Sequence, residues 1–505
     1  MQLKNIINLF KNINFLYLLL FLWILLIRFP YLFIDKIAPD ENIFFILGDL
    51  ILQGELPHEN YWDIKPAIVW YLYSIPQLFI KSIISLRFFG IIIIFLSSLF
   101  LFKIIYENEK NKFTAFLASF LFVFASTFIG TELPDHSIGI SVGIITQHFA
   151  NFFLILSIFF IFKGNSSLNI FLVSLFLSLA ILTRYNYALI LIGYLLYYLF
   201  YKKGLKFFII FSFTSLISFL IVHFSYFSET RYINLIEYFE ILKQYGSKET
   251  FNDYFLVIKK FLRFILEPLI NFRILNTRFY LSLFFWISGM IFVFMYFFKE
   301  KTKVETFFII NFSLIMLSIF VGAAAEHYLL SVIIFISYFS AKTINSFSIK
   351  KLKYLPILIV LISSFNSVKS EYFWLAARIL NNQSLMVGPG FDILNYMKKN
   401  KLPIEKNLYL SQPILYFLTD QKPVHKLIFP TQFNAHATTI GNFDKVSDLY
   451  LSLFKKKPNL VVFDENQWNI KANKEIYEVV KNEISINYNE VYKTQSTKLY
   501  IRRQF

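Results

Sequence analysis

Long runs of apolar residues, each separated from the next by a short polar connection, fill most of the chain before residue 370. A helix that crosses a bilayer needs about 20 apolar residues, and shorter runs can cross with help from flanking residues. Eleven runs come close to this length, at 13–34, 83–105, 113–129, 142–162, 167–182, 187–200, 207–227, 279–298, 305–321, 328–345 and 353–368. The pattern predicts an α-helical polytopic membrane protein with about eleven transmembrane helices.

Lysines are concentrated on every second connection between these runs. With the N-terminus inside, the inner connections contain fifteen lysines and only three acids, Glu107, Glu109 and Glu300. Because cytoplasmic loops of membrane proteins carry an excess of Lys and Arg, we expect a cytoplasmic N-terminus. The connections at 35–82 and 228–278 are then on the outer face, and the second of them has the mixed pattern of interfacial amphipathic helices.

The pattern changes after residue 369, where proline and glycine separate short mixed segments. We therefore predict two domains, a membrane domain over 1–369 and a small soluble α/β domain over 370–505 on the outer face. Within the second domain, NLYLS (407–411) and NLVVFD (459–464) predict strands, NKEIYEVVKNEI (473–484) predicts a helix, and NEVYKTQSTKLYIRR (489–503) predicts a closing hairpin.

Composition agrees with a membrane location and narrows the chemistry. The 505 residues are 57% hydrophobic, with a mean hydropathy of +0.57 and a net charge of +17. Fifteen of the 49 bases are lysines on the inner connections, where they predict contact with anionic membrane lipids, and we expect no nucleic-acid partner. The chain has no cysteine, which excludes disulfides, thiolate catalysis and cysteine metal sites.

The first outer loop is acidic, since residues 35–66 contain seven acids and two lysines. Apolar residues from Ile43 to Ile51 follow helical spacing, Asp40 stands where an N-cap is expected, and Gly54 with Pro57 ends the pattern. Beyond Asp40, we expect the acids Asp49, Glu55 and Glu59 to be solvated. The loop thus predicts an acid-bearing helix at headgroup level, followed by the aromatic segment AIVWYLYSIPQLFI.

The order PDE, helix, GELPHENYWDIKP resembles the first-loop signature of the GT-C membrane glycosyltransferases. Within that group it is similar to glycosyltransferase family 39, the branch of the lipid A aminoarabinose transferases and protein O-mannosyltransferases. SLRFFG (85–90), LTRYN (182–186) and EHYLLSVIIF (326–335) resemble further elements of the family.

The resemblance implies a bacterial inner-membrane enzyme that moves a hexosyl or pentosyl group from a polyprenyl-phosphate donor to a lipid, glycan or protein acceptor on the outer face. By motif position, Asp40 is the general base, with Glu41 beside it as a second catalytic candidate or a helix-dipole partner. Lys65 would bind the donor phosphate, with Arg184 and Arg87 as further phosphate contacts or as span anchors. The implied pocket residues are Tyr61, Trp62, Asp63, His327 and Tyr328, and the possible second acids are Glu132 and Asp135.

The chain also departs from the family pattern. Ile64 stands where some relatives carry a carboxylate, and Gln147 with His148 stand where many have an acid. No cofactor or metal site is therefore implied firmly, and a divalent cation stays unsupported. Arg28, late in the first run, is expected at the membrane interface.

Three other functions remain as alternatives. A transporter or flippase of lipid-linked sugars would place its ionisable residues near the membrane midplane in broken helices, whereas the acids here lie at the outer boundary. A polysaccharide polymerase is expected to have large outer loops with paired arginines. A non-catalytic scaffold would tolerate the loss of Asp40.

Overall fold

The structure of the protein is a computed structural model. It describes residues 12–34, 39–63, 65–129, 143, 145–201, 203–223, 251–270, 277–298, 302–321, 326–347, 354–428, 443–464, 474–494 and 497–503. For a few residues within these ranges, including Asp40, Glu326 and His327, the backbone alone is described.

A helix lies in each of the eleven predicted apolar segments, and further helices lie in the two long outer connections. In chain order they are α1 (Ile13–Arg28), α2 (Pro39–Leu52), α3 (Ala67–Gln77), α4 (Ile83–Glu109), α5 (Lys112–Phe128), α6 (Thr146–Lys163), α7 (Ser167–Thr183), α8 (Ile190–Phe200), α9 (Gly204–Val222), α10 (Phe251–Ile270), α11 (Thr277–Tyr296), α12 (Lys303–Val321), α13 (Ile333–Phe347) and α14 (Leu355–Leu380). Within the described residues, seven helical segments are long and apolar enough to cross a membrane. The predicted α-helical polytopic architecture is confirmed.

Hydroxyl side chains inside these apolar helices bond to their own helix. Ser97 donates to the carbonyl of Ile93, Ser174 to that of Ile170, and Thr214 to that of Ile210. A hydroxyl satisfied in this way needs no water, so it is tolerated in a segment that faces lipid or the protein interior.

Helix α11 contains a π-helical turn over Leu281–Ile287. Such a turn interrupts the regular α-helical ladder, and two hydroxyls of α13 bond to carbonyls in the turn and just after it. Ser340 donates to the carbonyl of Phe285 at 2.6 Å and Thr343 to that of Ser288 at 2.7 Å. The irregular turn is therefore stabilised by the helix packed against it.

The chain folds into two compact units. The first, which we call the helical unit, consists of residues 1–32, 87–222 and 238–377. The second, the loop unit, consists of residues 33–86, 223–237 and 378–505. The first outer loop, with α2 and α3, thus belongs to the same unit as the C-terminal segments.

The C-terminal part of the loop unit is a small α/β fold. Its elements are α15 (Pro389–Lys399), β1 (Leu408–Tyr409), α16 (Ile414–Leu418), α17 (Val446–Lys455), β2 (Leu460–Asp464), α18 (Lys474–Asn487), β3 (Tyr488–Lys493) and β4 (Thr497–Arg502). The sheet order is β1-β2-β4-β3, with β1 parallel to β2 and the other pairs antiparallel. The predicted strands, helix and closing hairpin are confirmed, while the domain boundary after residue 369 stays a prediction.

Candidate functional site

The first outer loop begins with α2, which starts at Pro39. Proline is favoured at the first helical position because its missing N–H has no helical partner to lose. Asp40 is therefore the second residue of the helix, and its assignment as the N-cap was wrong by two positions. Glu41, the next residue, is fully buried.

Helices α2 and α3 pack closely against each other. The rings of Phe44 and Tyr73 are 5.0 Å apart, and Gln77 Nε2 donates to the carbonyl of Phe45 at 3.0 Å. A Cβ atom at Gly48 would lie 2.6 Å from the backbone of Tyr73, so only glycine allows this approach. The two helices thus form one rigid hairpin at the start of the loop unit.

Lys65 lies at the end of the connection between these helices. Its backbone nitrogen donates to Asp63 Oδ1 at 2.8 Å, which is the geometry of an Asx turn. Its ammonium Nζ lies 5.9 Å from the ring centroid of Phe44. Because Phe44 comes one helical turn after Asp40, the lysine side chain lies near the first turns of α2.

His58 is a buried residue that stabilises the same connection. It adopts a left-handed backbone conformation with φ of 62°, and its Nε2 bonds to the carbonyl oxygen of Asp63 at 2.8 Å. Its ring packs 5.3 Å from that of Trp70. Burial lowers the pKa of His58 to about 3, so the ring is neutral at physiological pH.

Tyr61 and Trp62 contact the C-terminal part of the loop unit. The hydroxyl of Tyr61 donates to the carbonyl oxygen of Pro423 at 3.2 Å. The backbone nitrogen of Trp62 donates to the carbonyl oxygen of Lys426 at 2.8 Å. Burial raises the pKa of Tyr61 to about 12. The tyrosine hydroxyl therefore stays protonated, and it already has a backbone acceptor.

Two acids expected to be solvated are paired instead. Asp49 Oδ1 lies 2.6 Å from Lys81 Nζ, and Glu55 Oε1 lies 2.5 Å from Lys422 Nζ. Their side chains are only 6% and 12% exposed. Helical spacing could not reveal this, because the partner lysines come from other parts of the chain.

In the helical unit, two short 3-10 turns meet. One is Tyr185–Tyr187, and the other is Glu326–Val332. Asn186 Nδ2 donates to Ser331 Oγ at 3.2 Å, which joins the two turns directly. The structure thus brings LTRYN and EHYLLSVIIF together, although they are far apart in the sequence.

Arg184 and Tyr328 form the most unusual contact between these turns. The guanidinium Cζ lies 4.7 Å from the tyrosine ring centroid, a cation-π arrangement. Arg184 is 7% exposed, and its Nη2 donates no hydrogen bond within the described part of the chain. A buried guanidinium nitrogen that lacks an acceptor is costly, so this position suits an anionic ligand.

Two further arginines of the helical unit, Arg87 and Arg28, bond to backbone carbonyls. Arg87 donates to the carbonyl of Tyr31 at 2.6 Å. Arg28 is buried between helices and donates to the carbonyl of Ser126 at 2.7 Å and to Thr127 Oγ1 at 3.1 Å, while its expected depth at the membrane interface stays a prediction. His148 Nε2 bonds to the same Ser126 oxygen at 3.0 Å. Sequence reasoning did not reveal the bonds of Arg28, because their acceptors at the end of α5 lie 98 and 99 positions away.

Some predicted positions are not covered. Glu132 and Asp135 lie outside the described residues, and for Asp40 and His327 the backbone alone is described. Within the described residues, no cluster of three or more His, Asp or Glu side chains could hold a metal ion.

No family model and no curated protein sequence matches the chain. Solved structures do. ArnT from Cupriavidus metallidurans bound to undecaprenyl phosphate is similar over 99% of this chain and 98% of its own, with a TM-score of 0.59 and 11% identity. Its apo structure gives 0.58 at 12% identity over 96% and 97% of the two chains. The oligosaccharyltransferase of Archaeoglobus fulgidus, in complex with zinc and sulfate, gives 0.51 at 12% identity over 96% of this chain and 73% of its own.

The chain has a GT-C fold. The similarity to ArnT extends over nearly the whole of both chains, so the helical unit and the C-terminal α/β part both belong to the shared architecture. Together with the apolar helices, this fold makes the chain a multi-pass membrane protein. At these identities the likeness concerns the fold, and the roles of individual residues rest on their own geometry.

Proposed function

We propose that the protein is a membrane glycosyltransferase that moves a sugar from a polyprenyl-phosphate donor to a lipid, glycan or protein hydroxyl. The GT-C fold supports this reaction class, and one solved relative of that fold was crystallised with undecaprenyl phosphate. The protein would act in a bacterial inner membrane, with the first outer loop and the C-terminal α/β part on the outer face.

The observation that carries the proposal is the position of Lys65. The Asx turn at Asp63 and the contact with Phe44 place its ammonium near the start of α2, the helix that begins with Pro39 and Asp40. A base and a cation in one rigid loop are the two groups that the transfer requires.

The reaction balances with these two groups. An acceptor oxygen forms a bond to the anomeric carbon, and the bond from that carbon to the phosphate oxygen breaks. The acceptor proton passes to the Asp40 carboxylate, and the ammonium of Lys65 stabilises the negative charge on the departing polyprenyl phosphate. Direct displacement of this kind inverts the anomeric configuration.

Arg184 is a separate candidate for a phosphate contact. It is buried, it stacks on Tyr328, and its Nη2 lacks an acceptor within the described residues. Arg87 has a weaker claim, because its guanidinium already bonds to the carbonyl of Tyr31. Glu41 is fully buried in the first turn of α2. A carboxylate there can stabilise the helix dipole, so Glu41 has a structural role as an alternative to a catalytic one.

The test is transfer from synthetic polyprenyl-phosphate sugars in membranes containing Asp40→Asn. We expect transfer to fall at least about a hundredfold, because general-base catalysis contributes 10²–10⁴-fold. Asp392→Asn is the matched control, since Asp392 lies in the first turn of α15, another helix that begins with proline. Transfer by Asp40→Asn at the control rate would refute the base assignment.

Lys65→Ala tests the phosphate assignment, with Lys399→Ala, at an exposed position of α15, as its control. We expect a higher donor KM in the first variant alone. A transporter or scaffold would form no new glycosidic bond in this assay, so the wild-type result also separates the reaction classes.

A further inference from the structure

Residues 417–426, which we call the clasp, contact the first outer loop at five places. The contacts join Phe45 to Phe417, Lys81 to Asp420, Glu55 to Lys422, Tyr61 to Pro423 and Trp62 to Lys426. All of these residues belong to the loop unit. A single short segment therefore touches α2, the turn after it, the YWD segment and the end of the α2–α3 hairpin.

Lys81, at the end of the α2–α3 hairpin, contacts one end of the clasp. Its Nζ lies 2.6 Å from Asp49 Oδ1, forms a second ion pair with Asp420, and lies 5.4 Å from the ring centroid of Phe417. Asp49 is on α2 and is nearly buried, whereas Asp420 is 76% exposed. One lysine thus ties the helix that begins with Asp40 to the C-terminal part of the unit.

The net stability from the Asp49 pair is small at best. Burial raises the pKa of Asp49 even though Lys81 acts to lower it. The charged pair therefore contributes little to the free energy of unfolding, as is common for buried ion pairs. The pair instead fixes the position of Lys81 relative to α2.

The other end of the clasp leads to Lys65. The carbonyl of Lys426 fixes the backbone nitrogen of Trp62, the residue before Asp63. Asp63 in turn accepts the bond from the backbone nitrogen of Lys65. The position of the lysine thus depends on the clasp through two successive hydrogen bonds.

The clasp itself is held by the sheet. Gln421 Oε1 accepts from the backbone nitrogen of Asn407 at 3.2 Å, and Gln421 Nε2 donates to the carbonyl of Asn407 at 2.9 Å. Just before the clasp, the Tyr416 hydroxyl accepts from the backbone nitrogen of Tyr409 in β1 at 3.2 Å. A side chain supported by regular structure is held more precisely than one on a free loop.

We propose that the clasp is a positioning element that holds the first outer loop, and with it the start of α2 and Lys65, in a fixed place against the C-terminal part of the unit, with Lys81, Asp420 and Lys422 as the positioning residues. This inference rests on the proposed function, because the two positions that it sets are the proposed base and phosphate contact. The C-terminal part then serves the catalytic loop directly, in addition to any part in acceptor recognition.

The test combines Asp420→Asn with Lys422→Ala, which removes both exposed partners and leaves the core unchanged. Since the chain has no cysteine, spin labels at Leu52→Cys and Ile404→Cys report the distance from the end of α2 to the segment before β1. Both label sites are exposed, at 39% and 51%. Transfer is measured on the same proteins without labels.

We expect the distance distribution to broaden in the double variant and kcat to fall roughly ten- to a hundredfold, the scale of a 1 Å misplacement. The exchanged pair Glu55→Lys with Lys422→Glu, in the otherwise native chain, should keep a narrow distribution and most of kcat. Lys399→Ala should change neither quantity. If the double variant does not fold, Asp420→Asn alone gives the same readouts.

An unchanged distribution and unchanged kcat would overturn the inference, and so would a loss of kcat with an unchanged distribution. If the distribution broadens but the wild-type chain transfers no sugar, the positioning contact is supported and the proposed function is overturned. The two hypotheses therefore fail in different ways.

Discussion

The Oδ1 atom of Asp63 accepts a hydrogen bond from the backbone nitrogen of Lys65 at 2.8 Å. The resemblance implied Asp63 only as a pocket residue, but this bond gives it a structural task. The Asp63 side chain closes the Asx turn that fixes the backbone at Lys65. The His58 ring bonds to the backbone carbonyl of Asp63. The side chain and the backbone of Asp63 are therefore both hydrogen-bonded.

The first prediction separates the shape of Asp63 from its charge. Asp63→Asn retains a carbonyl oxygen that can accept from the Lys65 nitrogen, so we expect kcat/KM close to the wild-type value. Asp63→Ala loses the acceptor, and a bond worth about 1–2 kcal/mol corresponds to roughly a tenfold loss. Transfer assays on both variants check this. Equal losses in the two variants would mean that the carboxylate charge itself is required.

The second prediction concerns the buried ring of His58. Burial lowers its pKa to about 3, below the ordinary value of 6.5. In the unfolded chain the ring gains a proton near pH 6.5, whereas in the folded chain it does so only near pH 3. Protonation therefore favours the unfolded state, and the free energy of unfolding falls as the pH drops through this window.

His58→Asn should flatten that pH dependence, since asparagine tolerates a positive φ and has no titratable group. The measurement is the thermal midpoint of the purified protein between pH 7 and pH 4, compared with wild type. The two curves should diverge most near neutral pH, where we expect the wild type to be the more stable. Parallel curves would show that His58 does not titrate differently on unfolding.

The third prediction uses Arg184. Among the residues that the structure describes, the buried guanidinium has no acceptor for its Nη2 and therefore contributes little stability, so Arg184→Gln should leave the thermal midpoint unchanged or higher. If the arginine contacts the donor phosphate, the same variant should raise the donor KM about tenfold or more. Arg503→Gln, at an exposed arginine just after β4, is the control for the donor KM. A lower midpoint with an unchanged KM would assign Arg184 a structural role instead.

The elements that sequence reasoning found depend on local patterns. Helical spacing from Ile43 to Ile51 predicted α2, and short β-rich segments predicted β2 and the closing hairpin. Each of these signals lies within one element, so a single sequence contains it. The two-residue error at Asp40 arose because Pro39 could either precede the helix or begin it.

What the sequence could not reveal is mainly pairing at long range. Lys81 and Asp420 are 339 positions apart, and Glu55 and Lys422 are 367 apart. An acid on a polar loop has the same local pattern whether it is solvated or ion-paired, so Asp49 and Glu55 were expected to be solvated. The hydrophobic pattern likewise could not predict the contact between Arg184 and Tyr328, because each residue lies in a short interruption between helices.

The last prediction concerns orientation, which rests on the lysine pattern alone. Because the chain has no cysteine, a single engineered cysteine is a clean reporter of the side on which it lies. Asn60→Cys in the first outer loop and Lys398→Cys on α15 should react with a membrane-impermeant maleimide in cells whose inner membrane is intact. Lys203→Cys, on a connection predicted to be cytoplasmic, should react only after the membrane is opened, and all three positions are exposed. Labelling of Lys203→Cys in intact cells, with protection of the other two, would show that the topology is the reverse of the predicted one. The positive-inside rule would then have failed for this chain, and the proposed transfer would take place on the cytoplasmic side.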